Sequence, residues 1–387
     1  MPFHAKANSF SRLYRRVSAY FGGTLKYLVK PISVSSLSLC FLLVLTGAAY
    51  SSAVNQGVSV FSTYPSYALL NSCHSQRQLI NVGPSYNDTL ELCSEDAISP
   101  DRFIKVLSES GEFSNLRPYG EGNDYELLIA NVGAAPSEHP RHAKQFAEFT
   151  LQWRGIEIDS SQFDAGEEIT DDSNEKNLTN EKEAQLLITR WLEHVKQSGL
   201  FTSQFLFHAL QASNYSASLQ VPDSVGEFIK LDTQLFSDPF SGAITRYTHP
   251  DFEDALVDVT VYPFLAQLSS DESELLPKQL ESDLQKASAT AELQHLTLSQ
   301  VSPAARYSVN DNVVGWRLGL SATSDTSPTI YATTYVFRQQ DKIVKVSTTF
   351  PPDFSDTIVN QLIVNVEVPQ ESEMMKKVRS MLLETQR

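Results

Sequence analysis

Between Pro31 and Gln76 the chain contains no Asp, Glu, Lys or Arg, and within that interval Leu37–Ala49 (LSLCFLLVLTGAA) is almost wholly apolar. This feature constrains the rest, because it assigns each part of the polypeptide to one side of a membrane. At about 1.5 Å of rise per helical residue, Ile32–Ala53 is long enough to cross a hydrocarbon core roughly 30 Å thick. Ser33, Ser35, Ser36, Ser38 and Thr46 dilute its hydrophobicity, so the dense part is nearer in length to a signal-peptide core. The flanks decide orientation. Lys6, Arg12, Arg15, Arg16, Lys26 and Lys30 precede the stretch, and the first acidic residue of the chain is Asp88. Positive residues stay on the cytoplasmic side, which predicts that everything after about residue 54 is exported.

Two fates follow. Ser51-Ser52-Ala53 offers small residues for a signal peptidase, and cleavage there would release a soluble body. An uncleaved anchor over residues 31–53, behind a cytoplasmic basic segment 1–30, is favoured because the basic lead is longer than an ordinary signal-peptide start. A lipoprotein is excluded by Leu39, which stands where a small residue must precede a lipidated cysteine. The expected location is a bacterial inner membrane, single-pass, with the bulk in the periplasm. The acid-free lead also fits a mitochondrial presequence, so the mitochondrial inner membrane facing the intermembrane space is the alternative.

The chain carries 30 Lys+Arg against 46 Asp+Glu. Seven of the basic residues and none of the acidic ones precede Asp88, so the remainder holds 23 against 46, a net of −23. Such a surface repels nucleic acid and anionic headgroups and offers no basic patch for phosphate contacts, so no nucleic-acid partner is expected. Of the three cysteines, Cys40 lies inside the apolar stretch. Cys73 and Cys93 are then the pair available in an oxidising compartment, and a disulfide within a linker 54–98 is the expected arrangement. A redox or metal pair is the alternative, and the spacing matches neither a CxxC nor a zinc pattern.

Order begins clearly at Ser99. Ser99-Pro100 reads as an N-cap followed by proline at the first helical position, and Phe103, Ile104, Val106 and Leu107 form a stripe ending at Gly111. Tyr125–Val132 reads as a buried strand. Ala147–Ile158 reads as a second strand with Phe149, Leu151 and Trp153 on one face. Asp159–Asn180 is acid-rich and reads as a solvated loop, weak calcium binding being the alternative, although the spacing lacks the Gly and terminal Glu of an EF-hand. Asn180 and Glu183 resemble a capping box for a helix through Leu187, Ile188, Trp191, Leu192 and Val195, ending at Gly199. Its likeness to the first helix, at an offset of 88 residues, raises an internal duplication of 99–132 in 187–221.

A boundary is placed at Val221-Pro222, giving an α/β domain over 99–221 and a last domain over 222–369. In the latter, Leu256–Tyr262 alternates, with Val257, Val259 and Val261 inward and Asp258 and Thr260 outward. A helix over Glu274–Glu292 follows, then strands at Leu296–Val301 and Gly315–Ala322 and a long hairpin, Ile330–Phe337 with Lys342–Phe350. Ser355–Val366 closes the domain as a helix. The fold class is therefore α+β, a transmembrane helix followed by two exported domains, the last an antiparallel sheet with flanking helices.

This element order, with the Val-Tyr-Pro strand end at Val261–Pro263 and the terminal hairpin and helix, resembles the PsbP/Mog1-like α/β sandwich. Residues 99–160 likewise resemble small α/β modules of transport-auxiliary envelope lipoproteins. Both resemblances imply binding or assembly with an envelope protein partner rather than catalysis, and neither carries catalytic residues. In the tail 370–387, Met374, Val378, Met381 and Leu382 share one helical face, which reads as a frayed amphipathic end or a partner-binding helix.

Candidate chemistry is sparse. His139 and His142 beside Glu138 are too few for a metal centre. His249 with Asp251, Glu253 and Asp254 makes a carboxylate-rich loop, and His208 is another imidazole that a serine could join. Either is the nucleus of the alternative function, an exported hydrolase. The Arg154, Trp153 and Gly155 trio suits a strand end, with a cation–π or carboxylate partner for the guanidinium. No phosphate loop, GxSxG, HExxH or activated Cys/His pair is present, so no cofactor, metal or catalytic residue is expected.

Overall fold

The computed structural model of the chain describes residues 56–63, 98–136, 143–165, 176–324 and 327–385. The apolar segment 31–53, Cys73, Cys93, Glu138, His139 and His142 lie outside them. Among the described residues no helix is long and apolar enough to cross a membrane. Helices and mainly antiparallel sheets make the fold α+β, and the described residues divide into two compact units at 209/210.

In the N-terminal unit a five-stranded sheet has the order β2-β1-β3-β4-β5, with β1 (Val58–Thr63), β2 (Leu116–Pro118), β3 (Tyr125–Pro136), β4 (Ala143–Trp153) and β5 (Ile156–Asp164). β1 pairs in parallel with both β2 and β3, an insertion that its mixed Val/Ser/Phe pattern did not announce. Helices α1 (Pro100–Glu109), α2 (Lys176–Ser198) and α3 (Ser203–Ala209) complete the unit. The alternation on β3 and β4 buries Tyr125, Leu127, Ile129, Phe149, Leu151 and Trp153, as period-2 patterning requires. Phe149 is the centre of the core: Phe103 of α1 meets it edge-on at 6.4 Å and Trp191 of α2 stacks on it at 5.4 Å.

Four expectations change here. Ala147–Ile158 is not one strand but the two arms of a hairpin turning at Arg154 and Gly155, whose φ values of 48° and 78° fit a two-residue primed turn. The acidic stretch is not a loop from 159 to 180, because Asp159–Asp164 belong to β5 and α2 begins at Lys176. Asn180 and Glu183 therefore lie inside α2 rather than at its cap. The two similar helices do not open equivalent modules either: α1 leads into the sheet, α2 leads into α3, and both pack on the same Phe149 ring.

The second unit starts upstream of Val221-Pro222. Tyr215 of α4 (Tyr215–Ser218) is buried, and Gln220 and Glu367 exchange two backbone hydrogen bonds of 2.9 Å in an isolated bridge, which ties 210–221 to the C-terminal part of the chain. That sheet is eight-stranded and antiparallel throughout, in the order β10-β11-β12-β13-β9-β8-β7-β6. Its strands are β6 (Ser224–Val225), β7 (Phe228–Leu235), β8 (Ala243–Thr248), β9 (Leu256–Pro263), β10 (Thr297–Ser308), β11 (Val314–Ser324), β12 (Ser327–Gln339) and β13 (Lys342–Thr348). β6 to β8 extend the sheet beyond the strands read from the sequence.

Each face carries a helical layer. α6 (Pro352–Ile363) lies on the face of Val257, Val259, Val261, Val344 and Val346, where Tyr335 Oη donates 2.5 Å to Asp356 Oδ1 and Arg317 pairs with the same carboxylate. α5 (Glu272–Leu293) lies on the other, where Leu276, Leu280 and Ala287 meet Leu318, Leu320, Val336 and Ile343. α7 (Glu373–Thr385) closes the chain.

Candidate functional site

Strand alternation builds the site. Because Val257, Val259 and Val261 are spent on the α6 face, Asp258, Thr260 and Tyr262 must project toward α5, and the register brings Lys345 opposite Thr260 and Ser347 opposite Asp258 on the same side. Toward β11 and β12 this face is covered by α5 and packed. Toward β8 and β9 it is left open, and a cleft of about 390 Å³ lies there, within the range of small-ligand sites. Its floor comes from β8, β9, β13 and β12, one wall from Gln279, Ser282, Asp283 and Lys286 of α5, and another from Phe236 and Phe240.

The Phe240 wall is positioned by a local device. Asp238 accepts from the Phe240 N–H at 2.9 Å, capping a short 3-10 turn over Pro239–Ser241. Gly242 follows with φ 70°, and a Cβ there would stand 1.9 Å from the Val261 carbonyl oxygen, so no other residue lets the loop approach β9 so closely.

The electrostatics of the cleft are organised in pairs. Lys345 Nζ is 2.9 Å from Asp283 Oδ1, to which it donates, and 2.8 Å from Oδ2, which lies off the hydrogen-bond direction. Arg246 donates to both oxygens of Asp258 at 2.7 Å in a bidentate clasp. Tyr262 Oη donates to Gln279 Oε1 at 2.9 Å, and burial, reinforced by the Asp283 charge, holds the phenol well above its ordinary pKa. Lys286, one turn along α5 from Asp283, is exposed, and no carboxylate among the described residues stands within ion-pair distance.

Of the imidazoles singled out in the sequence, the two that are described, His249 and His208, do not line this cleft. His249 is buried with its Nδ1 accepting from the Asp251 N–H at 3.1 Å and its Nε2 facing Glu227 at 3.0 Å, between the rings of Phe228 and Phe252. Both ring nitrogens are occupied by neighbours that hold the loop to β7 and β8. His208 is exposed at the end of α3, with no serine hydroxyl bonded to it among the described residues. No group of three or more His, Cys, Asp and Glu among the described residues is placed to hold a metal.

One constellation escaped the sequence. In the N-terminal unit, Nε2 of His194 lies 3.2 Å from Asp159 and from Ser161, and Nδ1 lies 3.2 Å from the exposed Ser198 hydroxyl. Asp159 and His194 are far apart in the chain, and only the folding of α2 against β5 brings them together. The contacts have the residue types of a hydrolytic triad, but none of these groups lines the cleft.

The proposed tail face is divided. Met374 is buried with Met375, Val378 is half-buried, and Met381 and Leu382 are 63% and 38% exposed. The start of α7 is therefore core and not a frayed end. Arg379 anchors it, donating to the carbonyls of Phe264 at 2.8 Å and Ala266 at 3.2 Å and pairing with Glu371 and Asp341. Arg154 has both partners considered for it: Nε donates 2.8 Å to Asp124, and the guanidinium lies 4.4 Å from the Trp153 ring centroid.

No protein-family model and no curated protein matches the chain. Among solved structures, the solution structure of cyanobacterial PsbP (CyanoP) from Synechocystis sp. PCC 6803 is similar over 39% of this chain and 93% of its own, at 13% identity and a TM-score of 0.25. The resemblance to PsbP is thus loose.

Proposed function

We propose that the chain is a membrane-anchored binding or assembly protein of the cell envelope, non-catalytic, with the cleft under α5 as its binding site. The observation that carries this reading is the cleft itself: a sheet face that is packed over one half and, over the other, left open and lined by polar groups. Hydroxyls of Thr260, Ser282, Thr334 and Ser347 on a half-buried surface contribute little to a core and are suited to orienting a ligand. The anchor and exported topology rest on the distribution of charge around residues 31–53.

Two experiments test it. A photo-crosslinking amino acid at Ala332, on the α5 side of β12, in the full chain in native membranes, is expected to trap one defined species. The same probe at exposed Ile229 is not. Equal or absent trapping at both positions would remove the cleft as the site. A reporter active only outside the cytoplasm, joined after residue 60, should be active; activity of a cytoplasmic reporter there would remove the topology.

The Ser198, His194 and Asp159 contacts support a second reading, a hydrolase. It demands a nucleophile that reacts with a serine-directed fluorophosphonate and oxyanion donors beside it.

A further inference from the structure

The binding role proposed above leaves the occupant's chemistry open, and the lining of the cleft narrows it. We infer that the cleft takes an amphiphilic organic anion, with its head between Lys286 and Lys345 and its apolar chain running along β12. This rests on the cleft being the binding site.

Charge is the first ground. Apart from tyrosines, the ionisable lining residues are Asp258, Asp283, Lys286 and Lys345. Arg246 clasps Asp258 and Lys345 is matched to Asp283, so Lys286 is a surplus cation. A surplus of positive charge is the reverse of the chain as a whole, whose net charge is −16. Lys345 also keeps donor capacity. An ammonium has three N–H groups, and among the described residues Asp283 is the one acceptor that the Lys345 ammonium reaches. The hydroxyls of Ser282, Thr260 and Ser347 are at hand for the remaining oxygens of a carboxylate or phosphate head.

Shape is the second ground. A recess of about 30 Å³ lies between the C-terminal half of α5 and strands β11 and β12, walled by Ala287, Ala291, Leu298 and Leu320. Ile330, Tyr331 and Ala332 line both this recess and the cleft, so the two adjoin along β12. Polar groups at one end and a mainly apolar end beyond, where Thr290 and Ser321 are the hydroxyl residues, match a charged head and a saturated chain.

The test is calorimetric titration of the full chain in phosphatidylcholine nanodiscs, with empty nanodiscs as the blank. Octanoate, octyl phosphate, octanol and octyltrimethylammonium are the probes. At least one anion is expected to bind tenfold or more tightly than octanol, the cation not at all, and the two anions report which head is preferred. Affinity should rise about threefold to fourfold per methylene from butanoate to octanoate, as burial of each group predicts. Lys286→Glu, at an exposed position, should weaken the anion tenfold or more with an unchanged circular dichroism spectrum. Octanol binding as tightly as the anions, or indifference to Lys286→Glu, would overturn the inference and leave the cleft as a site. Absence of binding by every probe would also overturn it, and the Ala332 crosslink then decides separately whether the cleft survives.

Discussion

Two lysines on β13, three positions apart and so on opposite faces of the sheet, are each paired with an aspartate, yet the pairs differ in kind. Lys342 is fully enclosed with Asp341 at the β12–β13 turn, where Arg379 and Glu371 complete a buried network that seats α7. Burial pushes the Lys342 ammonium below its ordinary pKa, and the Asp341 contact opposes that. Lys345 with Asp283 sits at the edge of a cleft that water can enter. The comparison teaches that the same residue pair is architecture when closed off and recognition chemistry when left partly open. A closed pair can be dispensed with only at the cost of an uncompensated charge, while water can replace either member of an open one.

The largest effect is expected at the closed pair. Lys342→Met should cost about 3–5 kcal/mol, because Asp341 is left buried beside Arg379 alone, and hydrogen exchange in Glu373–Thr385 should accelerate with it. A loss under 1 kcal/mol in urea unfolding would show that the pair is not what seats α7.

A third buried ionic group, in the other unit, sharpens the comparison because no cation among the described residues pairs with it. Glu183 is buried, accepts 2.7 Å from the Gln145 amide, and is pushed up from 4.5 to about 7 by desolvation, which the Gln145 hydrogen bond only partly offsets. Folding therefore favours the protonated acid. Its contribution is fully present below about pH 4.5 and is lost as pH rises through about 7. Glu183→Gln should accordingly stabilise the chain at pH 8 by on the order of 2–3 kcal/mol and make no difference at pH 4, measured by denaturant unfolding at both values. A gap that widens toward acid would contradict the assignment.

Next comes the open pair itself. Lys345→Gln should lower stability by only about 1 kcal/mol, since Asp283 can take water from the cleft, while octanoate affinity falls tenfold or more. A stability loss as large as that of Lys342→Met would erase the distinction between the two pairs. Smallest of all, Ser198→Ala should leave stability within about 0.5 kcal/mol, and the unaltered chain should resist labelling by a fluorophosphonate. Labelling that the substitution abolishes would move the functional centre from the cleft to His194.

Much of the scaffold was legible because periodicity is local. The alternation of Val257, Val259 and Val261 located β9, the Ser99-Pro100 start located α1, and the apolar stripe through Leu187 and Trp191 located α2. Errors arose where tertiary partners overruled local pattern. Arg154-Gly155 looked like strand because its neighbours on both sides are strand, and the positive φ of Arg154 becomes reasonable only once Asp124 and the Trp153 ring hold its side chain. Glu183 looked like a cap because capping is the usual role of that spacing, whereas the fold buries it against Gln145. Met374 looked like part of a frayed or partner-binding end because nothing in residues 370–387 tells that Phe264 and Asp341 wait for Arg379. The Ser198, His194 and Asp159 contacts had no sequence signature at all.

What the amino-acid order determined alone was anything that depends on neighbours along the chain: the segregation of charge around an apolar stretch, the helix and strand periods, and the α+β class that follows from them. What only the tertiary structure decided was which polar residues meet. Asp258 and Thr260 could be read as outward-facing, but whether outward meant bulk water or a cleft depended on where α5 lies, and α5 is placed by its packing on β11, β12 and β13, strands that lie before and after it in space but only after it in sequence. Pairings across that distance, such as Lys345 with Asp283, are set by how apolar faces close on each other, and no local pattern encodes them.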